Sequence, residues 1–196
     1  MCNEIVRLIA IGQVRDDFHE LRIPLRFPEG VPNLGEAPSI RITDTTLIVR
    51  GVAGREPEAV QRRWSWPGRG GRPVYNYRSE DREFRNSDGA GRCLIPADAF
   101  FEFTDPEAGA RRKTRWRFSH ARDGWLAIAG LWRSDAAVGE AFTMLTCAPG
   151  PDVAPYHGRQ VVVLPREHWA AWLGGEVPAG RLLLPAPAGT LGVVRA

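Results

Sequence analysis

Residues 126–146 read Leu-Ala-Ile-Ala-Gly-Leu-Trp-Arg-Ser-Asp-Ala-Ala-Val-Gly-Glu-Ala-Phe-Thr-Met-Leu-Thr. Two apolar runs of strand length, 126–132 and 142–146, flank the turn-like stretch 134–140. Short apolar runs that are bounded by turn signals are typical of buried β-strands. The segment therefore predicts two core strands, and the rest of the chain is interpreted around them.

Further strands are indicated on both sides of this pair. Residues 40–49 alternate apolar side chains around a central Thr-Asp-Thr-Thr and predict a hairpin, Trp116 and Phe118 alternate in another strand, and residues 161–164 form a buried strand that Pro165 ends. Helices are expected at 16–22 and around Trp169, Trp172 and Leu173, with Gly174 as a helix C-terminal residue. Sixteen prolines and 21 glycines fit many turns. We predict one α+β, mainly β domain over residues 1–196, in which residues 174–196 form a less regular tail on the surface.

The composition favours a globular chain in a reducing compartment. Apolar residues make up 43%, no run of about 18 apolar residues suggests a membrane span, and the first twenty residues do not resemble a signal peptide. We expect a cytoplasmic protein that is nucleoid-associated when bound to DNA, with no membrane partner. Three widely spaced cysteines indicate neither a disulfide framework nor a metal site, and no cofactor is predicted.

The positive charge is carried almost entirely by arginine. Of 26 basic residues only Lys113 is a lysine, and ten arginines between positions 50 and 92 face six carboxylates. Arginine suits bidentate phosphate contacts and stacking on bases. Trp64 and Trp66 lie within this stretch and favour single-stranded nucleic acid, because base stacking needs flat faces beside cations. A solvated surface explains the arginines alone about as well.

Cysteine at position 2 is the most informative single residue. A small side chain after Met1 permits removal of the methionine, and the mature chain then begins with a 1,2-aminothiol. Its amine has an ordinary pKa of about 7.7–8.0, so a neutral fraction exists near pH 7. Such a group adds to an aldehyde through nitrogen and closes a thiazolidine ring through sulfur. Taken alone, however, Cys2 is explained as well by an accident of the start site.

Three more segments accompany Met1-Cys2, in this order: Val-Tyr-Asn-Tyr-Arg-Ser-Glu at 74–80, Arg-Cys-Leu-Ile-Pro-Ala-Asp-Ala-Phe-Phe-Glu-Phe at 92–103, and Pro-Tyr-His-Gly-Arg at 155–159. Together they resemble the SOS response-associated peptidase (SRAP) family, whose members shield abasic sites in single-stranded DNA. The resemblance covers roughly residues 1–173. It implies mixed sheets with a barrel-like core and flanking short helices, and a peptidase or lyase-like protein that crosslinks to abasic-site DNA as a monomer.

The resemblance also implies roles for individual residues. The catalytic set is Cys2, Asn76, Glu102 and His157, and the DNA-binding set is Asn3, Trp64, Trp66, Arg78, Phe103 and Arg159. The chemistry of each catalytic side chain agrees with these roles. Asn76 can hold the amine or a sugar oxygen, Glu102 can shuttle protons if its pKa is raised among phenylalanines, and His157 can act as an acid near pH 7. Arg78 and Arg159 would hold phosphates.

Several positions depart from the family pattern. Asn3 replaces a glycine, Glu4 replaces an arginine that contacts phosphate, and Phe103 replaces a tryptophan. The family's Trp-Gly segment is Trp64-Ser65-Trp66 here, which leaves open which indole stacks on a base. Gln160 and Val161 stand where Met or Arg followed by Pro is usual. These changes predict intact chemistry and an altered DNA groove.

Two other functions fit parts of the pattern. An N-terminal-nucleophile amidohydrolase also exposes a cysteine after Met1, with the thiol attacking an amide and the amine acting as base. It leaves the Asn-x-Arg-x-Glu and Phe-Phe-Glu-Phe segments unexplained. A non-catalytic module that binds single-stranded DNA is the second alternative. Any peptidase activity is expected to be removal of the chain's own Met1.

Overall fold

The computed structural model of the chain describes residues 2–106, 108–109, 111–122 and 124–196. Its strands in the first half of the chain are β1 (Glu4–Arg7), β2 (Ala37–Arg41), β3 (Thr45–Arg50), β4 (Glu58–Trp64), β5 (Trp66–Pro67), β6 (Pro73–Val74) and β7 (Asn76–Arg78). Those in the second half are β8 (Ala90–Ala97), β9 (Ala99–Thr104), β10 (Thr114–His120), β11 (Leu126–Asp135), β12 (Gly139–Cys147), β13 (Gln160–Val161) and β14 (Leu191–Arg195). Two α-helices, α1 (Ile11–Glu20) and α2 (Trp169–Gly174), accompany them.

Five of the strands close into a barrel in the order β11-β8-β3-β4-β12, because β12 also pairs with β11. The predicted pair at 126–146 is confirmed as the β11–β12 hairpin, in which Gly130 lies opposite Met144 and Asp135 opposite Gly139. Both strands extend beyond the apolar runs, since Arg133 and Ser134 continue the pairing. The predicted mainly β class with a barrel-like core and short helices is confirmed.

A second sheet, in the order β14-β10-β9-β1-β2, packs on the barrel. One face of this sheet contributes Ile5, Phe100 and Phe118 to the same core cluster as the barrel residues Ile95 and Phe142. The Phe100 and Phe118 rings stack at 4.9 Å. Since side chains alternate along a strand, Glu102 shares the face of Phe100, whereas Phe101 and Phe103 form a small cluster on the other face.

The predicted hairpin at 40–49 is wrong, although its turn is present. The Asp44 amide donates to the Arg41 carbonyl at 2.9 Å. The flanking strands do not pair with each other: β2 pairs with β1 in the second sheet, and β3 pairs with β4 and β8 in the barrel. Thr43, in the left-handed region at φ 84°, lies where the chain crosses between the two sheets. Alternation alone could not reveal this change of sheet.

The helices and the tail show further differences. Helix α2 agrees with the prediction and ends at Gly174, which is followed by Gly175 in the left-handed conformation, whereas α1 begins and ends earlier than expected. The strand predicted at 161–164 is regular only at its start, in β13, because the chain then turns from β12 to β11, where Val163 forms an isolated bridge with Ile128. The tail is more integrated than predicted. It buries Leu182 and Leu183 and ends in β14, which pairs with β10 along the edge of the second sheet.

Arg92 joins the motif at 92–103 to the C-terminal segment. Its side chain is 1% exposed, donates to the carbonyls of Phe84 and Val177, and lies 4.6 Å over the Trp172 ring. A buried cation is tolerated only when its donors are paired, and here carbonyl oxygens fill that role. This arginine is therefore part of the framework and not of a nucleic-acid surface.

Ser65 supports a prediction about stability. It is buried with φ 79°. A left-handed conformation costs a non-glycine residue roughly 1–2 kcal/mol, so Ser65→Gly should raise the free energy of unfolding by about 1 kcal/mol. Denaturant unfolding measures the change.

The same replacement in an ordinary strand supplies the control. Ser119→Gly in β10 should lower the free energy of unfolding by about 0.5–1 kcal/mol. Equal losses in the two variants would show that the backbone at Ser65 carries no strain.

A candidate active site at the amino terminus

Cys2 lies directly before β1 and is 1% exposed. Its backbone carbonyl accepts a hydrogen bond of 2.7 Å from Asn76 Nδ2, at the start of β7. Its thiol donates to the Glu4 carbonyl at 3.4 Å. The amide of Asn76 thus fixes the residue whose nitrogen becomes the chain terminus when Met1 is removed.

Glu102 faces Cys2 from the neighbouring strand β9. It is 1% exposed, and its carboxylate accepts a hydrogen bond from the Cys2 backbone N–H. Burial raises the pKa of the Glu102 carboxyl above its ordinary value, while His157 acts in the opposite direction. A carboxyl with a raised pKa can give and take a proton closer to neutral pH. The cause is enclosure in the site as a whole, since Phe101 and Phe103 lie on the other face of β9.

His157 completes the group from the loop between β12 and β13. Its Nε2 lies 3.7 Å from Glu102 Oε2. Its Nδ1 is 3.0 Å from the Arg159 amide nitrogen and 2.9 Å from the Arg159 carbonyl oxygen. A neutral ring can accept from the amide and a protonated ring can donate to the carbonyl. The same backbone therefore supports both protonation states without moving the ring.

The loop that carries His157 is held by an ion pair. The Arg159 guanidinium pairs with both oxygens of Glu80 and also donates to the Thr146 carbonyl at 2.9 Å and the Thr146 hydroxyl at 3.0 Å. This pairing lowers the pKa of Glu80 below its ordinary value. Arg159, for which a phosphate contact is predicted, thus makes a bidentate contact to Glu80, a partner that the sequence did not reveal.

Burial also raises the pKa of the Cys2 thiol to about 12, and the charge of Glu102 adds to this effect. The thiol is consequently protonated at neutral pH. A thiolate next to a carboxylate in a dry environment is costly, so the site disfavours ionisation of this thiol.

Two aromatic residues beside the site were not predicted as part of it. Trp116 lies opposite Glu102 in the β9–β10 pairing, and its ring is 4.7 Å from that of Tyr156, the residue before His157. Residues directly opposite in an antiparallel pair project to the same side. The alternation of Trp116 and Phe118 was a usable signal, but only the pairing with β9 connects it to Glu102.

The predicted DNA-binding residues divide into exposed and enclosed groups. Asn3 and Arg78 are exposed, and Arg78 shares the face of β7 with Asn76. Phe103 is half-buried. Trp64 is fully buried, stacks on Phe142 and donates its N–H to the Tyr75 carbonyl at 2.9 Å. The prediction that Trp64 stacks on a base is therefore wrong in this structure, because the ring belongs to the core.

Trp66 and Glu4 also differ from expectation. Trp66 is only 6% exposed, with the Arg133 guanidinium 4.5 Å from its ring centre. Glu4 does not project as a free negative charge: it lies 2.9 Å from Arg115 and accepts a 2.7 Å hydrogen bond from Ser39. The charge of the Glu4 carboxylate is thus compensated by Arg115 on β10 and Arg41 on β2.

The ten arginines between positions 50 and 92 do not form a single exposed surface. Arg50 and Arg62 form an ion-pair network with Glu58, Glu140 and Glu29, and Arg92 is buried. The exposed ones are Arg55, Arg69, Arg72, Arg78, Arg82 and Arg85. The sequence alone could not distinguish the paired or buried arginines from the exposed ones, because all ten occur in one stretch of similar composition.

Two further kinds of site, metal-binding clusters and membrane-spanning helices, concern the same part of the chain. Among the described residues, no cluster of His, Cys, Asp or Glu could hold a metal ion. None of the described helices combines the length and the apolar character that a bilayer crossing requires.

Known proteins resemble the chain in both sequence and fold. The model of a family described as SOS response associated peptidase (SRAP) matches residues 39–193, a range that contains Asn76, Glu102 and His157 and begins after Cys2. A protein from Bordetella bronchiseptica is 26% identical with a TM-score of 0.69, over 100% of this chain and 99% of that chain. No curated protein sequence matches the chain.

Two further solved structures are more distant in sequence and support the fold alone. A phage-related protein from Bordetella bronchiseptica is 20% identical with a TM-score of 0.72, over 100% of this chain and 94% of that chain. A protein from Bacteroides thetaiotaomicron is 14% identical with a TM-score of 0.72, over 99% of this chain and 91% of that chain. The architecture is thus retained at low identity.

The raised pKa of Glu102 predicts a pH dependence of stability. The folded carboxyl keeps its proton to higher pH than the unfolded one, so the folded state binds more protons between the two pKa values. The free energy of unfolding should then fall as pH rises from about 4.3 through this window, and level off above the folded pKa. Glu102→Gln should remove this component.

Urea unfolding between pH 4 and pH 8 compares the wild type with Glu102→Gln and with Glu176→Gln, which changes an exposed glutamate. The control should follow the wild-type curve. Parallel curves for the wild type and Glu102→Gln would contradict the assignment of a raised pKa to this carboxyl.

Proposed function

Because the chain belongs to the SOS response associated peptidase (SRAP) family, we propose that it binds single-stranded DNA at abasic sites and captures the sugar aldehyde through Cys2. One observation carries the proposal: the Cys2 nitrogen donates to the Glu102 carboxylate while Asn76 holds the Cys2 carbonyl. Removal of Met1 turns this nitrogen into an amine already placed against a buried proton acceptor.

The proposed reaction begins when the abasic sugar opens to its aldehyde. His157 donates a proton to the ring oxygen as its bond to the anomeric carbon breaks, and Glu102 takes the proton of the anomeric hydroxyl and returns it to His157. The Cys2 nitrogen then attacks the aldehyde carbon to form a carbinolamine. Glu102 accepts a proton from nitrogen and returns one to the departing hydroxyl, which leaves as water. The resulting imine carbon accepts the Cys2 sulfur, and the thiol proton passes to nitrogen. The product is a thiazolidine, and the net change is the loss of one water molecule.

The arrangement of groups supports this order of steps. With a pKa of about 12 the thiol is a poor first nucleophile, whereas the imine formed in the first step is electrophilic enough for a thiol held beside it. His157 Nε2 and Glu102 Oε2 are 3.7 Å apart, so a proton can pass between the two groups as the reaction proceeds. Exposed Arg78, on the same face of β7 as Asn76, is the proposed phosphate contact.

The first test uses uracil-containing single-stranded DNA treated with uracil glycosylase. The wild type should give a heat-stable, slower-migrating band on a denaturing gel, and Cys2→Ala should give none. Cys147→Ser, which changes an internal thiol, should crosslink as the wild type does. Glu102→Gln should slow crosslinking by about 10²-fold or more, the usual scale of acid–base assistance.

Two results would contradict the proposal. One is a heat-stable band that survives Cys2→Ala and is lost in Cys147→Ser. The other is release of ammonia from glutamine, which would support the amidohydrolase alternative and place the thiol as first nucleophile.

A second test addresses maturation, because a Cys2 nitrogen still joined to Met1 is an amide whose lone pair is delocalised. Mass spectrometry should show that the purified protein lacks one methionine. A variant with a leucine inserted between Met1 and Cys2 should keep its extension and form no heat-stable adduct, with undamaged-DNA affinity as the control. If the extended protein crosslinks as fast as the processed one, the amine is not the nucleophile.

A further inference from the structure

A second concave surface lies on the barrel and contains none of the four residues of the candidate active site. This surface, called the basic groove here, has a volume of about 680 Å³. Its chemistry is set by four arginines and two aromatic residues: Arg69, Arg82, Arg85, Arg133, Trp66 and Tyr77. The volume is within the range of about 300–1,000 Å³ that is usual for ligand sites.

Guanidinium groups in the groove lie over aromatic rings, at cation–π distance. Arg133 lies 4.5 Å from the centre of the Trp66 ring, and Arg82 lies 4.8 Å from the centre of the Tyr77 ring. Arg82 also donates to the Tyr77 hydroxyl at 2.8 Å. Such a contact orders a guanidinium plane and leaves N–H groups at its edge for phosphate oxygens and its outer face for a base.

The charge of the groove is not balanced by its own residues. Glu83 is the one carboxylate among the lining residues, all of which belong to the described part of the chain. It already accepts a 3.0 Å hydrogen bond from the Ala179 amide and lies 3.9 Å from Arg92. Within the described residues, neither Arg69, Arg82 nor Arg85 forms a salt bridge, although Arg133 pairs with Asp135 at 2.8 Å. The groove therefore attracts an anion.

Strand β7 links the groove to the candidate active site. Asn76 and Arg78 project from one face of this short strand, and Tyr77 projects from the other face into the groove. Arg82 follows four residues after Arg78. The groove therefore begins on the opposite face of the short strand that carries two residues of the candidate site, and Arg82 brings a cation to it after the exposed Glu80 and Asp81.

From these observations we propose that the basic groove binds single-stranded DNA flanking the nucleotide that occupies the active site. The arginines contact its phosphates, and the guanidinium planes and the aromatic floor contact its bases. The proposal rests on the proposed function for the identity of the strand, but the binding itself is non-covalent and needs no lesion. The groove extends the length of strand that one protein molecule covers.

The aromatic floor favours DNA over an acidic protein segment. Carboxylates of a peptide would satisfy the arginines equally well but would gain little from the planar guanidinium and indole surfaces. Bases stack on such planes whatever their sequence, which gives a sequence-tolerant site. An acidic peptide is therefore kept as a competitor in the test.

The test measures the binding of undamaged single strands to full-length protein by fluorescence anisotropy. The strands are about 4 and about 20 nucleotides long, below and above the span of a typical small single-strand-binding fold. The groove variant is Arg82→Ala combined with Arg85→Ala. The matched control is Arg15→Ala combined with Arg22→Ala, which removes the same charge from exposed positions outside the groove.

The wild type and the control should bind the long strand at least about tenfold more tightly than the short one. The groove variant should lose most of this gain and bind the short strand as the wild type does. Its affinity for the long strand should fall less steeply with salt, by a slope of about 1.4 for two lost phosphate contacts at about 0.7 each. Its crosslinking rate to a short abasic strand should be unchanged.

Three outcomes would overturn the proposal. They are equal binding of the long strand by the groove variant and the control, an equal loss for both strand lengths, and displacement of the long strand by a polyglutamate peptide as efficiently as by unlabelled DNA. Failure of the wild type to crosslink abasic DNA, with the length-dependent loss still observed, would remove the proposed function and leave the groove in place.

Discussion

The antiparallel pairing of β1 with β9 is the constraint on which the rest of the site depends. Ile5 lies opposite Phe100 and Val6 opposite Ala99, so the chain start runs along the strand that carries Glu102. Asn76 then fixes the Cys2 carbonyl from β7, which is itself held in register by β12. The terminus of a chain is usually its least ordered part. Cys2, close to the start of the chain, is instead buried, and the proposed function depends on this order to position its nitrogen.

Burial determines which protonation states the side chains of the candidate site favour. The same enclosure raises the pKa of the Glu102 carboxyl and of the Cys2 thiol, and so disfavours the charged form of each group. Charges elsewhere are compensated by neighbours: Glu4 by Arg115, and Glu80 by Arg159. Within the described residues, Arg82 and Arg85 form no salt bridge with a carboxylate, and both lie in the basic groove. The charges around the candidate active site are thus balanced by neighbours, whereas the basic groove keeps a net positive charge. This difference distinguishes the framework from a binding surface.

Much of the fold and the four catalytic candidates could be predicted from the sequence. The reason differs from one element to the next. The β11–β12 hairpin was visible because both strands are buried and the turn is local. The motif at 92–103 identified Glu102, but not the role of Arg92, whose partners Phe84 and Val177 are known only from the tertiary structure. The hairpin prediction for residues 40–49 was wrong because alternation does not show which sheet a strand joins. The DNA-binding prediction for Trp64 did not foresee its burial, because an indole beside arginines has the same sequence signature whether it stacks on a base or fills a core.

The central claim is that the Cys2 nitrogen and sulfur both bond to one aldehyde carbon in a site built by Asn76, Glu102 and His157. The most direct test is mass spectrometry of the protease-digested adduct formed with abasic single-stranded DNA. We predict that the DNA-derived mass is found on the N-terminal peptide that begins at Cys2, with loss of a single water molecule and with neither a free amine nor a thiol that can be alkylated. An adduct on any other peptide, or one on Cys2 whose thiol still reacts with iodoacetamide, would contradict this account.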